Sequence, residues 1–140
     1  MVRNQFSTDD QRRDGTFIEI YTIDGDGNRT FYGSIGNKFK GLVVGGQKRH
    51  IDDIVLYRYA DVLLMKAEAK NALGQDPSVE MNLIRERAYG DNYTDHVFVN
   101  GSQAENDAAI LKERLLELML EGKRWWDLIQ ILFQSELDPT

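Results

Sequence analysis

The sequence predicts a mainly α protein: a helical hairpin plus further helices, preceded by a small N-terminal β-hairpin and irregular loops. Three observations carry this. Most of the twelve glycines lie in residues 1–50, while residues 51–140 are dominated by stretches of helical period. Two of those stretches are joined by a turn so short that they must pack antiparallel. β-branched and aromatic residues gather on both sides of one turn-forming run near the N-terminus.

Taken in order, "TFIEIYT" (16–22) reads as a strand, "DGDGN" (24–28) as a turn and "RTFYGS" (29–34) as the returning strand. "GNKFKGLVVGGQKR" (36–49) reads as an irregular extended connection. "DIVLYRYADVLLMKAEAKNAL" (53–73) predicts a helix, with Gly74 as its C-terminal cap. "DPSVEMNLIRERAYG" predicts a second helix, with Asp76 as N-cap and Pro77 as first helical residue, running to about Ala88 and ended by Gly90. That pair has the spacing of a tetratricopeptide-like unit. Residues 89–106 read as a polar loop. A third helix is expected from about Asp107, with Gly122 able to kink or break it before "KRWWDLIQILF".

Composition narrows the function. A net charge of −6 with no long Lys/Arg run argues against nucleic acid, because phosphate binding needs a concentrated basic surface. Cysteine is absent, so disulfides and thiolate chemistry are excluded. No apolar run approaches the ~18 residues of a membrane span, and residues 1–20 lack a basic-then-apolar leader pattern. The stretch taken alone reads as soluble.

Wheel positions place Ala60, Leu63, Leu64 and Ala67 on one apolar face of the 60–73 helix, and Val62, Met65, Ala69 and Leu73 on another. Lys66 and Lys70 fall between them and are expected in solvent. Asp61 and Glu68 share a narrow strip on the other flank, so cationic partners are expected. On the third helix, Leu111, Leu115, Leu118 and Met119 form the expected apolar face. Glu113, Arg114, Glu117 and Glu121 lie opposite, and like charges spaced at four repel unless paired. Arg58, Arg85, Arg87, Arg124 and Asp127 complete the ionic network these positions predict.

Three stretches then carry a resemblance: "RYADVLLMKAEAKN" (58–71), "NLIRERA" (82–88) and "KERLLELMLEGKRWWDL" (112–128). In this order and spacing they resemble the SusD/RagB family, with weaker likeness at "DQRRDGTF" (10–17) and "NKF" (37–39). The resemblance implies a non-catalytic component that binds oligo- or polysaccharides for an outer-membrane nutrient-uptake system. It also implies a TonB-dependent transporter as partner and a cell-surface lipoprotein location for the full-length chain. No cofactor is implied. Family members are several hundred residues long, so this sequence resembles a single piece, 1–140, of the C-terminal half. A partial helical array exposes faces that neighbours should cover, so self-association is expected. The alternative is a tetratricopeptide-like scaffold that binds proteins and no glycan.

Each candidate site has a plainer competitor. Asp24, Asp26 and Asn28 have the opening spacing of a calcium loop, but Ile35 stands where its bidentate Glu belongs, which favours a hairpin turn. Glu113, Glu117 and Glu121 could suggest a glycosidase, yet neighbours on one helix point the same way and structural pairing is favoured. His50 and His96 stand apart with no metal or triad spacing. Tyr93, His96 and Phe98, among Asn and Asp in residues 91–107, suit sugar rings and hydroxyls; the competing reading is a surface loop with Val97 and Phe98 in the core. Trp125 falls in phase with Leu111 and Leu118, and Trp126 near Leu115 and Met119. Both are expected to be buried, so that Trp125→Ala would cost ~3–5 kcal/mol.

Overall fold

The computed structural model describes residues 2–51 and 53–137, with the side chains of all these except Val2 and 131–137. It divides into two compact units, Met1–Leu56 and Tyr57–Thr140.

The first unit starts with a 3-10 turn (Val2–Gln5) and a short helix α1 (Gln11–Thr16), capped by the Asp10 carboxylate on the Arg12 amide. Arg3 is buried and holds Asp14 and Glu19. Strands β1 (Phe17–Ile23) and β2 (Arg29–Gly36) form the expected antiparallel hairpin, with Phe17 opposite Gly36, Ile23 opposite Arg29, and a bulge at Ile20/Tyr21. The connection at 36–49 differs from its expectation. It folds into a second hairpin, β3 (Leu42–Val44) with β4 (Gln47–Arg49). Gly45 and Gly46 turn it with φ of +59° and +77°, the left-handed pair that a two-residue hairpin loop requires.

The second unit is helical, as the sequence predicts. Helix α2 spans Tyr59–Ala72, six residues later than expected. Ile54 and Val55 are β-branched, and residues 53–57 are exposed, so that run has neither propensity nor packing to hold a helix. Gly74, at φ +69°, ends it. Helix α3 spans Ser78–Tyr89; its N-cap is Pro77, not Asp76 as expected, and Asp76 stands one place further out, its carboxylate accepting from the Ser78 amide. α2 and α3 pack against each other as the predicted hairpin.

Residues 90–96 are not plain loop: Gly90–His96 is a 3-10 helix. Helix α4 spans Gln103–Glu117, four residues earlier than expected, because Ser102 and Glu105 form a capping box. It stops at Glu117. Leu120 (φ +65°) and Gly122 (φ +75°) turn the chain before α5 (Arg124–Leu137). Leu63, Leu64, Ala67, Met81, Ile84, Phe98, Ile110 and Leu118 make the core. The inward line of α4 is Ile110, Glu113, Leu116 and Glu117, while Leu111 and Leu115 are only half-buried. The expected apolar face is therefore rotated, and acids occupy the inner side. Only one of the two apolar faces of α2 is covered: Val62, Met65 and Leu73 remain exposed.

Candidate functional site

The second unit holds buried carboxylates on both flanks of α2, and their partners differ. Arg58, the N-cap residue of α2, reaches Glu117 at 2.6 Å through Nη1 and Glu121 at 2.8 Å through Nε. Its Nη2 also donates to the Glu117 carbonyl, in the stretch that ends α4. Burial alone would lower the Arg58 pKa, but the two carboxylates outweigh it and raise it. Arg87 approaches Glu117 at 3.5 Å. From α3, Arg85 pairs with Glu113 at 2.9 Å and donates to the His96 carbonyl. Lys66 and Lys70 are not idle in solvent as expected. Both bind Glu80 of α3 at 2.8 Å, a carboxylate 1% exposed.

Asp61 takes Lys123 at 2.9 Å and Arg114 at 3.4 Å, and Arg114 also holds Asp127 at 2.7 Å. Nine of the eleven residues expected in the network thus lie in ion pairs. The other two do not follow. Glu68 is bound by the neutral Gln130 amide at 2.5 Å. Arg124 is half-buried and its Nη1 has no hydrogen-bond partner.

Glu68, Asp107, Ala108, Ile110, Leu111, Arg114, Asp127 and Gln130 line a cavity of about 250 Å³ between α2, α4 and α5. Burial pushes the Glu68 carboxyl up, against the pull of Arg114. No sequence signal marked this cavity, because it depends on how three helices pack.

Of the loop candidates, Phe98 is 6% exposed and belongs to the core, so it offers no face to a sugar; Val97, the other expected core residue, is exposed instead. Asn82 fixes Phe98 by accepting from its amide at 2.7 Å and donating to its carbonyl at 3.0 Å. His96 stacks on Tyr89 with ring centroids 3.7 Å apart, which covers one of its faces. Tyr93 is half-buried. Asn106, held by Asn71 of α2, binds Asn100 and Gly101 and so ties the far end of the loop. Hydrogen bonds tie the loop at Phe98 and at Asn100–Gly101, and its aromatic face is smaller than the sequence suggests.

The "DGDGN" run is the turn of the first hairpin. The Asp24 carboxylate accepts from the amides of Asp26 and Asn28 and from the Asn28 side chain. Those bonds hold its pKa below the usual carboxylate range, the Asn28 side chain contributing most. Among the described residues no group of three His, Cys, Asp or Glu side chains could hold a metal ion.

Trp125 and Trp126 are each 67% exposed, which overturns their expected burial. The expectation carried the phase of α4 through residue 121. The left-handed turn at Leu120 and Gly122 resets that phase before α5 starts.

The SusD family model matches residues 3–131. The chain belongs to the SusD family. SusD-like protein P38 of Formosa agariphila is 47% identical over 89 residues, 57% of this chain and 18% of the relative. SusD-like protein P2 of the same organism is 31% identical over 106 residues, covering 71% and 21%. Among solved structures, a SusD superfamily protein of Bacteroides vulgatus aligns over 91% of this chain and 31% of its own, with a TM-score of 0.80 and 36% identity. NanU of B. fragilis aligns over 91% and 30%, with a TM-score of 0.78 and 35% identity. The chain therefore spans about a fifth of the curated SusD-like relatives and under a third of these solved structures. Among the described residues no helix is long and apolar enough to cross a membrane.

Proposed function

We propose that this chain is part of a non-catalytic glycan-binding protein of the outer-membrane surface, which passes oligosaccharides to a TonB-dependent transporter. The observation that carries the reading is membership of the SusD family across residues 3–131. The geometry supports the non-catalytic half. Glu113, Glu117 and Glu121 do not face each other across a cleft as glycosidase carboxylates do. Arg85 neutralises the first, and Arg58 the other two. They serve the scaffold.

The test is calorimetric titration of the full-length protein with a panel of oligosaccharides, followed by product analysis. Binding of at least one glycan without cleavage is the expected outcome. Turnover, or no binding across the panel, would overturn the reading. A protein-binding scaffold is the second reading. It is favoured by the exposed outer face of the hairpin, where Val62, Met65, Leu73, Val79 and Leu83 meet solvent. That reading predicts co-purification of a transporter with no glycan bound.

A further inference from the structure

Helix α5 is fastened to the second unit in a different way from α3. Met81 and Ile84 of α3 sit in the hydrophobic core, and none of the described α5 side chains does. Trp125, Trp126 and Leu128 are exposed and Ile129 is half-buried; the buried residue of this stretch is a charged one, Asp127. Among the described residues, polar contacts hold the helix down. Lys123, just before it, binds Asp61 at 2.9 Å, Asp127 binds Arg114 at 2.7 Å, and Gln130 donates to Glu68 at 2.5 Å. Behind these contacts α5 does not close on α2 and α4 but leaves the cavity of about 250 Å³. The chain enters α5 through the left-handed residues Leu120 and Gly122. A short non-helical turn at the end of an element is where a packed helix can pivot.

We propose that α5 is a charge-fastened flap that pivots about the Leu120–Gly122 turn, and that Glu68 makes its docking pH-sensitive, tightest in mild acid and looser toward neutral pH. Glu68 faces Asp107 and Arg114 of α4 and Asp127 and Gln130 of α5; Asp61, with Lys123, lies two turns earlier on its own helix. Burial raises the Glu68 carboxyl most, and the charges of Asp127 and Asp107 add to that against Arg114. Two of the groups around it, Asp127 and Gln130, belong to α5. Lifting α5 gives Glu68 back to water and removes Asp127, so the open form favours the ionised carboxylate. A carboxyl raised in the docked form supports docking below its ordinary value, and that support is lost as pH rises through the docked one. The Asp127–Arg114 and Asp61–Lys123 pairs work in the opposite sense, because each needs an ionised carboxylate. Docking therefore weakens again in strong acid, which leaves a window of tightest closure between the two. The device goes beyond the glycan reading and requires no sugar.

Native-state amide exchange of the isotope-labelled 140-residue chain, read by NMR and corrected for the intrinsic pH dependence of exchange, tests it. The quantity is the protection of α5 amides relative to those of α3, which cancels any change in global stability. From neutral to mildly acidic pH this ratio is expected to rise by roughly two- to fivefold, the worth of one partly exposed charge contact. Glu68→Gln, which can still accept from Gln130, should raise the ratio at neutral pH and flatten its pH dependence. In the unmodified chain, raising the salt concentration at neutral pH should lower the ratio, because α5 is held by screened charges and α3 also by the core. That arm needs no variant to fold. The proposal is overturned if α5 and α3 change protection in parallel with pH, if the pH dependence survives Glu68→Gln, or if salt leaves the ratio unchanged.

Discussion

The two flanks of α2 solve the same electrostatic problem differently. Toward α3, one carboxylate has two cations: Glu80 lies between Lys66 and Lys70. At the start of the helix, Arg58 holds two carboxylates in one planar fork. Toward α5, Glu68, Asp107 and Asp127 surround a cavity in which the single arginine is shared with Asp61. Closed pairs of the first kind lock helices together and have nothing left to offer a ligand. Carboxylates of the second kind are short of donors and work against folding. Charge alone does not separate the two flanks; the count of acceptors left without a donor does.

Substitution should show this contrast as opposite signs. The largest loss is expected for Arg58→Ala, which removes one cation from both Glu117 and Glu121. Breaking a buried ion pair costs ~3–5 kcal/mol at most, and Arg87 beside Glu117 offsets part of that; the loss is read as a shift of the urea unfolding midpoint. A change below about 1 kcal/mol would mean that water reaches these carboxylates and that the closed flank is no different from the open one.

Glu80→Gln comes next, at about 1–3 kcal/mol. Lys66 is 61% exposed and re-enters water easily when released, so the penalty is smaller than at Arg58. The sign of its pH dependence follows from the pKa. Burial pushes Glu80 up, but the hydrogen bonds from Lys66 and Lys70 outweigh it and hold the carboxyl below its ordinary value. A depressed carboxyl gives stability that is complete above its unfolded pKa and is lost as pH falls through the folded one. The wild-type chain should lose that increment in acid, and the Gln variant should lack that part of the slope.

Glu68→Gln should go the other way. Burial raises the Glu68 carboxyl, so its contribution is favourable below its unfolded pKa and lost as pH rises through the folded value. At neutral pH the ionised form therefore costs stability, and the amide, which can still accept from Gln130, removes that cost. The expected gain is under about 1 kcal/mol, because the group keeps contact with solvent. It should vanish in acid. A loss at neutral pH would place Glu68 among the closed pairs.

These differences set what the sequence could reveal. The helix hairpin was legible because periodicity, Gly74 and Asp76 are local signals. The early start of α4 was legible too, in "SQAE", where Ser102 and Glu105 have capping-box spacing. The Gly45-Gly46 turn was likewise written in the chain. The partners of Lys66 and Lys70 were not, because Glu80 meets them only after α3 folds back. The rotation of α4 was hidden for a related reason. A wheel places Glu113 and Glu117 outside on polarity, and only arginines from α2 and α3 make the inside available to them. The cavity needs three helices in place before it exists.

The tryptophans set the smallest effect and the sharpest reversal. Periodicity carried through a continuous helix puts Trp125 in the core, and a core tryptophan truncated to alanine costs ~3–5 kcal/mol. The turn at Leu120 and Gly122 leaves Trp125 two-thirds exposed, on the first turn of a new helix. Trp125→Ala in this chain should then stay within about 0.5 kcal/mol of wild type, with fluorescence of the parent already solvent-quenched. A loss of several kcal/mol would show that α4 and α5 share one phase after all, and that the α5 flank of α2 is as closed as the α3 flank.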